Sequence, residues 1–114
     1  MTDYQKRLLE MLGAIEEELR RIGYWKPDEI DPYEDLPEGE VPTFLNASSF
    51  EDWLQFVFLP NARSAIAKDQ IPNSSSVGIM AMRQYDYHSH VPEAQQLVHL
   101  LHSFDRAIEK RKLG

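Results

Sequence analysis

The chain has 114 residues, 42% of them hydrophobic, a net charge of −7 and no cysteine. The lack of cysteine excludes a disulfide framework, a thiolate zinc site and a cysteine nucleophile. The length fits one domain, and a core of that size needs neither a disulfide nor a metal to be stable. We therefore predict a single domain over residues 1–114, with no cofactor.

Acidic and basic residues are unevenly distributed along the chain. Nine acidic residues, and no lysine or arginine, lie between Lys26 and Arg63, so the rest of the chain has a net charge of +2. Nucleic-acid binding depends on clustered basic side chains. The only such cluster in the sequence, Lys110-Arg111-Lys112, is more simply explained as the complement of a helix dipole. The sequence therefore disfavours direct binding to nucleic acid.

The N-terminal residues Met1-Thr2-Asp3-Tyr4-Gln5-Lys6-Arg7 are mostly polar. No uninterrupted apolar stretch approaches the roughly 20 residues that span a membrane. We expect neither a signal peptide nor a membrane segment. The absence of cysteine also fits a reducing compartment, so the predicted location is the cytoplasm.

The first helix is predicted to run from about Asp3 to Ile22, with Thr2 or Asp3 as its cap. Its apolar residues recur at helical spacing. These residues are Tyr4, Leu8, Met11, Leu12, Ile15, Leu19 and Ile22. Gly23 can adopt the left-handed conformation that ends a helix, so we expect the helix to stop there.

A long, acidic and proline-rich loop is predicted from about Tyr24 to Ala47. Its prolines are Pro27, Pro32, Pro37 and Pro42. Prolines remove amide donors and the acidic residues repel one another, so neither helix nor sheet is favoured. A loop this long in a compact domain is usually functional or mobile. Hydrophobic residues distributed along it indicate an ordered loop that wraps the helices.

The second helix opens with Ser48-Ser49-Phe50-Glu51, in which Ser48 and Glu51 form a capping-box pattern. Its apolar residues cover nearly the whole circumference. Phe50, Trp53, Leu54 and Val57 share one face, and Phe56 and Leu59 lie away from that face. Such a helix lies in the middle of a bundle or exposes an apolar face. Pro60 predicts a kink or a fresh start.

The third helix is predicted to be short and to follow a turn region from Asp69 to Ser76. It holds Val77, Ile79, Met80, Ala81 and Met82. Gly78 within it costs up to about 1 kcal/mol relative to alanine. We therefore expect this helix to be marginal alone or to pack its backbone close to a neighbour.

After a connector from Asp86 to Val91, the fourth helix is predicted to begin at Pro92 and to run to about Leu113. Its core stripe is Leu97, Leu100, Leu101, Phe104 and Ile108. No alternating strand pattern of useful length occurs. The predicted fold class is all-α, a four-helix bundle with a long ordered loop between helices one and two.

Four histidines raise the question of a metal site. They are His88, His90, His99 and His102. A di-iron carboxylate site needs Glu-x-x-His, but Gln96 lies three residues before His99. The acidic loop lacks the glycine and terminal glutamate of a calcium-binding EF-hand. We therefore predict solvated or hydrogen-bonded histidines and no metal site.

The sequence also lacks a recognisable catalytic motif. It has no glycine-rich phosphate loop, and no serine lies in a nucleophile elbow. With so many acidic residues, no particular pair of carboxylates is diagnostic of acid–base catalysis. We predict no catalytic residue.

Aromatic residues exceed the number that the helical stripes require. The surplus is Trp25, Trp53, Phe56, Phe58, Tyr85 and Tyr87. Tryptophan and tyrosine are enriched at interface hot spots because they bury large areas at low entropic cost. Helical phase favours a core position for Phe50 and Trp53, whereas Trp25, Phe56 and Tyr87 are compatible with burial or partial exposure. The predicted interaction surface comprises Trp25, Trp53, Phe56, Tyr85 and Tyr87.

The stretch Trp53-Leu54-Gln55-Phe56-Val57-Phe58-Leu59-Pro60, with Trp25 after the first helix, resembles the YqcC family of small bacterial proteins. That family has a tryptophan near the end of helix one, a Glu-Trp-Leu-Gln-(Trp/Phe)-(Val/Ile)-x-x-Pro stretch and a terminal amphipathic helix. The resemblance spans about Tyr4 to Ile108. Asp52 replaces the usual glutamate, and Asn61-Ala62 replaces an Arg-Met type pair, so a basic contact there is not expected.

The resemblance implies a helical bundle and an association with a tRNA pseudouridine synthase. It does not carry the synthase chemistry to this chain. That chemistry needs an aspartate nucleophile in a β-rich catalytic domain that holds RNA, and the sequence predicts neither a sheet nor a basic surface.

Three hypotheses follow for the function. The first is a non-catalytic protein-interaction domain, an accessory to an RNA-modifying enzyme. The second is a homodimer formed through the apolar helix face. The third is a small-molecule- or metal-binding enzyme with a pocket between the long loop and the bundle, near His88 and His90. The first hypothesis predicts an exposed apolar patch at Trp53 and Phe56, and it loses its main support if both residues are sealed inside.

Overall fold

The computed structural model describes residues 1–87 and 90–113, with side chains as far as residue 110. The first helix is Asp3–Arg21. The second covers 50–67, with α-helix at Phe50–Trp53 and Leu59–Ala67 on either side of a π-helical segment at Leu54–Phe58.

The third helix covers 77–87, with α-helix at Val77–Met82 and a π-helical segment at Arg83–Tyr87. The fourth covers 92–113, with a 3₁₀ turn at Pro92–Ala94 followed by α-helix at Gln95–Leu113. The part of the chain that the structure describes contains these four helices and no strand. The predicted all-α, four-helix fold is confirmed. None of the described helices has the length and apolar character that a membrane crossing requires.

The ends of the first helix form as the sequence predicts. Thr2 caps its start in a capping box with Gln5. Gly23 has φ of 83°, a conformation that residues with a Cβ rarely adopt. The amides of Tyr24 and Trp25 then both donate to the Leu19 carbonyl, at 2.9 and 3.2 Å. These bonds turn the chain out of the helix and into the long loop.

The predicted capping box of Ser48 and Glu51 is wrong. The second helix is capped instead by Ser49, whose hydroxyl accepts from the Asp52 amide at 3.0 Å. The Ser48 hydroxyl donates to the Asp52 carboxylate at 2.5 Å. Two adjacent serines can each cap a helix, and the bond from Ser48 to a buried carboxylate decides between them.

Pro60 is accommodated by a change in hydrogen bonding within one continuous helix. Proline has no amide proton, and its ring clashes with the preceding turn of an α-helix. In the structure the Leu59 amide donates to the Leu54 carbonyl, five residues earlier, and α-helical bonding then resumes with Pro60 in its first turn. The widened turn brings Leu54 and Leu59 to the same side, and both are fully buried. The prediction that Leu59 lies away from the Leu54 face is therefore wrong.

The third helix packs closely on the fourth, as Gly78 predicts. A Cβ at Gly78 would lie 2.8 Å from the Cα and 2.6 Å from Nδ1 of His102. Asp105 of the fourth helix accepts hydrogen bonds from the Val77 and Gly78 amides, at 3.2 and 2.7 Å. The fourth helix therefore caps the start of the third.

The core lies between the first and fourth helices and is closed by the second and third. Its fully buried large side chains include Leu8, Leu12, Ile15, Leu19, Leu54, Leu59, Leu97, Leu101 and Ile108. The helical stripes predicted for the first and fourth helices supply most of them.

Candidate functional site

Six aromatic rings form a continuous row through the molecule. Successive ring centroids are 5.7–6.0 Å apart along Tyr24, Tyr85, Phe50, Trp53, Phe58 and Phe104. Trp53 is stacked between Phe50 and Phe58, with interplanar angles of 23° and 27°. Its ring also meets the edge of Phe44 from the long loop, at 5.9 Å. Trp53 is half-buried, so these contacts hold rigidly a ring that still reaches the surface.

The five aromatic residues predicted to form an interaction surface are not all at the surface. Tyr85 is only 2% exposed, because the third helix continues to Tyr87 and Tyr85 lies four residues after buried Ala81 on the same face, so it is removed from that surface. Tyr87 is 65% exposed. Phe56 is half-buried, and Trp25 is half-buried under the Arg20 guanidinium, 4.3 Å from the ring centroid.

Two grooves flank Trp53. The first, here called the loop groove, has a volume of 470 Å³ and lies between the long loop and the third helix. Phe44, Leu45, Phe50, Met80 and Arg83 line it. Leu45 is 81% exposed, and Arg83 is the only charged lining residue among those described. The groove lies between the loop and the bundle, but His90, near which a pocket was predicted, does not line it, and His88 lies outside the described residues.

The second groove, here called the Trp53 groove, has a volume of 270 Å³. Trp53, Phe58, Ile71 and Phe104 contribute to its walls, and no charged residue of the described chain lines it. Trp53 joins the two grooves, since it lines this one and contacts the Phe44 and Phe50 rings of the other. Trp25, Phe56 and Tyr87 line neither groove.

An ion pair between half-exposed Lys26 and buried Asp52 fastens the long loop to the second helix. The Lys26 ammonium lies 2.8 Å from both carboxylate oxygens of Asp52. Gln55 adds a two-way bond, accepting from the Lys26 amide at 2.9 Å and donating to its carbonyl at 2.8 Å. Near the other end of the loop, the Ser48 amide donates to the Pro32 carbonyl at 2.8 Å. These bonds fix the segment that carries Phe44 and Leu45.

Electrostatic surroundings keep Asp52 ionised. Asp52 is only 1% exposed, and burial by itself raises the pKa of its carboxyl group. The hydrogen bonds from Lys26 and Ser48, and the Lys26 charge, outweigh burial and hold that pKa below its usual value. Asp52 therefore acts as a fixed anchor for the loop near neutral pH.

The tyrosines of the aromatic row remain protonated near neutral pH. Burial, followed by the nearby Glu51 carboxylate, raises the pKa of Tyr85 far above its ordinary value. Burial, with Glu93 and Glu51, also raises the pKa of Tyr24. Neither phenol can serve as a general base at physiological pH.

The histidines do not converge. The ring of His90 lies 3.0 Å from Asp86, His102 packs against Gly78, and His99 is exposed. His88 lies outside the described residues. Within the described residues, no group of three or more histidine, aspartate or glutamate side chains could hold a metal ion.

Sequence reasoning missed the partners of Trp53 in this surface. Phe44 and Leu45 lie in a loop without periodicity, and nothing local predicts that they face Met80 and Arg83 of the third helix. The one available signal was Phe58, a surplus aromatic residue next to Trp53 in the central motif.

Comparison with known proteins places the chain in a family. A family profile described as tRNA pseudouridine synthase C matches residues 7–107. No curated protein and no solved structure matches the chain. Because the match covers most of the chain and agrees with the YqcC-like resemblance of its central motif, the chain belongs to the tRNA pseudouridine synthase C family.

Proposed function

We propose that this chain is a non-catalytic protein-interaction domain, an accessory to an RNA-modifying enzyme. The observation that carries the proposal is the Trp53 ring, which is held between two aromatic rings and flanked by two apolar grooves. Hot spots in protein interfaces are typically rigid aromatic side chains next to pockets that exclude water. The family name makes a tRNA pseudouridine synthase the first candidate partner.

Charge complementarity supports a partner that binds RNA. The loop that supplies Phe44 and Leu45 also exposes Glu34, Asp35 and Glu40. An enzyme that holds RNA presents a positive surface. Acidic side chains beside an apolar groove would accelerate association with such a surface and orient the two proteins.

The chemistry of the grooves supports binding rather than catalysis. Of the described residues, one arginine is the only charged group lining either groove. The two buried aspartates, Asp52 and Asp105, already serve structural roles, since one anchors the loop and the other caps the third helix. General acid–base or nucleophilic catalysis would require an uncommitted group of that kind in a cleft.

The direct test is binding of the purified chain to a purified tRNA pseudouridine synthase, measured by calorimetry at two salt concentrations after RNase treatment. Leu45→Ser removes a highly exposed side chain from the loop groove. Losing the burial of a leucine, worth about 1.5–3 kcal/mol, should weaken binding about ten- to a hundredfold. Higher salt should weaken the wild-type complex further.

Ile79→Ser is the matched control, because Ile79 is also an exposed aliphatic residue but lines neither groove. It should leave the affinity nearly unchanged. Equal losses for the two variants, or no binding to any synthase, would overturn the proposal. Light scattering on the chain alone checks the homodimer hypothesis, since a dimer that Leu45→Ser dissociates would assign the groove to self-association.

A further inference from the structure

A third groove lies on another part of the molecule, between the start of the first helix and the second half of the fourth. It is here called the basic groove, and it has a volume of 660 Å³. Arg7 lines it from the first helix, and Arg106 and Lys110 line it from the fourth. All three side chains are exposed. Three basic side chains thus line one groove, although the chain as a whole has 19 acidic and only 12 basic residues.

The three cations are left without counter-charges. No carboxylate of the described residues lies within 4.0 Å of the charged nitrogens of Arg7, Arg106 or Lys110. Asp3 and Glu10 lie about one turn before and after Arg7, but neither lines the groove. Arg20, Arg21, Lys26 and Arg63 pair with carboxylates, and the other described cations without such a pair, Lys6, Lys68 and Arg83, do not line this groove. An anion bound in the basic groove would relieve the mutual repulsion of its cations.

Neutral residues complete the walls. The Tyr4 hydroxyl donates to the Ala107 carbonyl at 2.9 Å, which ties the two helices together at the groove. Ser103 contributes a hydroxyl that accepts from the Arg106 guanidinium at 3.3 Å. Met11 and the Tyr4 ring add apolar surface. The groove thus combines cations, a hydroxyl and a flat apolar wall.

We propose that the basic groove binds the phosphate ester of a nucleotide. A phosphate ester carries up to two negative charges and several acceptor oxygens, which suits two guanidinium groups and an ammonium better than a single carboxylate does. The volume falls in the range of about 300–1,000 Å³ that is typical of small-molecule sites, so it has room for a base as well as the phosphate. The proposal does not depend on the partner proposed for the loop groove.

The source of the phosphate is a free nucleotide or a short single-stranded stretch of RNA. A long duplex is disfavoured, because a chain of net charge −7 repels an extended polyanion beyond the groove itself. The sequence did not reveal this groove, since Arg7 and Arg106 are 99 positions apart and meet only in the fold.

The test is an NMR titration of the ¹⁵N-labelled full chain with inorganic phosphate, 5′-AMP, a short oligouridine and an oligoglutamate peptide. Amides of residues 4–11 and 103–110 should shift with the phosphate probes, and 5′-AMP should bind more tightly than inorganic phosphate. Oligouridine binding more tightly than 5′-AMP would identify RNA as the source. Equal affinities would identify the free nucleotide. Both results support a phosphate-ester site.

The variant R7Q/R106Q should weaken 5′-AMP binding at least about tenfold, because each arginine supplies charge-assisted hydrogen bonds. The control K6Q/K68Q removes the same charge at exposed lysines outside the groove and should change the affinity less than about twofold, as only long-range electrostatics are altered. Equal losses in both variants would overturn the proposal, as would tighter binding of oligoglutamate than of any phosphate probe. Absence of localised shifts with every phosphate probe would overturn it too.

Discussion

Two buried aspartates hold neighbouring parts of this molecule by different chemistry. Asp52, on the second helix, pairs with the Lys26 ammonium and so fastens the long loop that supplies the loop groove. Asp105, on the fourth helix, accepts from backbone amides at the start of the third helix and from the Ser75 hydroxyl. The first depends on a flexible, half-exposed partner, whereas the second depends on backbone groups fixed by a helix.

The difference shows how a carboxylate from elsewhere in the chain can replace a local cap. Ser76 precedes the third helix but makes no side-chain cap bond, and the α-helical part is only six residues long. Short helices are marginal alone. Asp105 supplies the missing acceptor from across the helix interface, so the third helix depends on tertiary packing. The loop, by contrast, is anchored by Asp52 but also by Gln55, and the Tyr33 hydroxyl and the Asn46 side chain make further bonds within it.

The largest effect should follow loss of the Asp105 carboxylate. Asp105→Ala removes the acceptor of the buried Val77 and Gly78 amides. It also removes the acceptor of the Ser75 hydroxyl. Unsatisfied buried donors cost about 1–3 kcal/mol each, so we expect a loss of about 3 kcal/mol in the free energy of unfolding. Urea denaturation measures the total, and hydrogen exchange should show the greatest loss of protection at the two amides. A loss below about 1 kcal/mol would show that the third helix does not need this cap.

A smaller effect should follow crowding of the same interface. Gly78→Ala places a methyl group 2.8 Å from the backbone Cα of His102, a contact that side-chain motion cannot relieve. Overpacking of this kind costs about 1–3 kcal/mol, and we expect about 2 kcal/mol by thermal or urea unfolding. Gly13→Ala is the matched control, since a Cβ there meets nothing within 4 Å. It should raise stability by up to about 1 kcal/mol, because alanine favours a helix interior. A stabilising Gly78→Ala would show that the two helices can separate without cost.

A feature of the fold could be predicted from the sequence where residues close together along the chain determine it. The stripes of Leu8 to Leu19 and of Leu97 to Ile108 reflect helical periodicity, so both long helices were predictable. The phase of the second helix was not, because the π-helical turn before Pro60 shifts Leu59 by one position. Tyr85 was misplaced for a different reason, since the third helix runs on past Met82 and places Tyr85 on the buried face of Val77 and Ala81. A π-helical turn of the kind before Pro60 has no periodic signature in a sequence.

The candidate surface was predictable only in part. Trp53 follows from the surplus of aromatic residues, and the structure places it between two grooves. Its partners Phe44 and Met80 are brought to that surface by the course of the loop and by the packing of the third helix. The cap from Asp105 and the cluster of Arg7 with Arg106 are likewise tertiary. Contacts between residues far apart in sequence cannot be read from composition or spacing.

The smallest effect we expect is on the pH dependence of stability, through the ionisation of Asp52. Its folded-state pKa lies below the usual 3.8, so the ion pair stabilises the protein fully above that value. This stabilisation is lost as the pH falls through the lowered, folded-state pKa. Urea midpoints measured from about pH 6 to about pH 3 should therefore fall more steeply for the wild type than for Asp52→Asn, which cannot titrate at this position. Parallel curves would show that the Asp52 pKa is not lowered in the folded state, and the loop would then be held by neutral hydrogen bonds, those of Gln55 with Lys26 and that of the Ser48 amide with the Pro32 carbonyl.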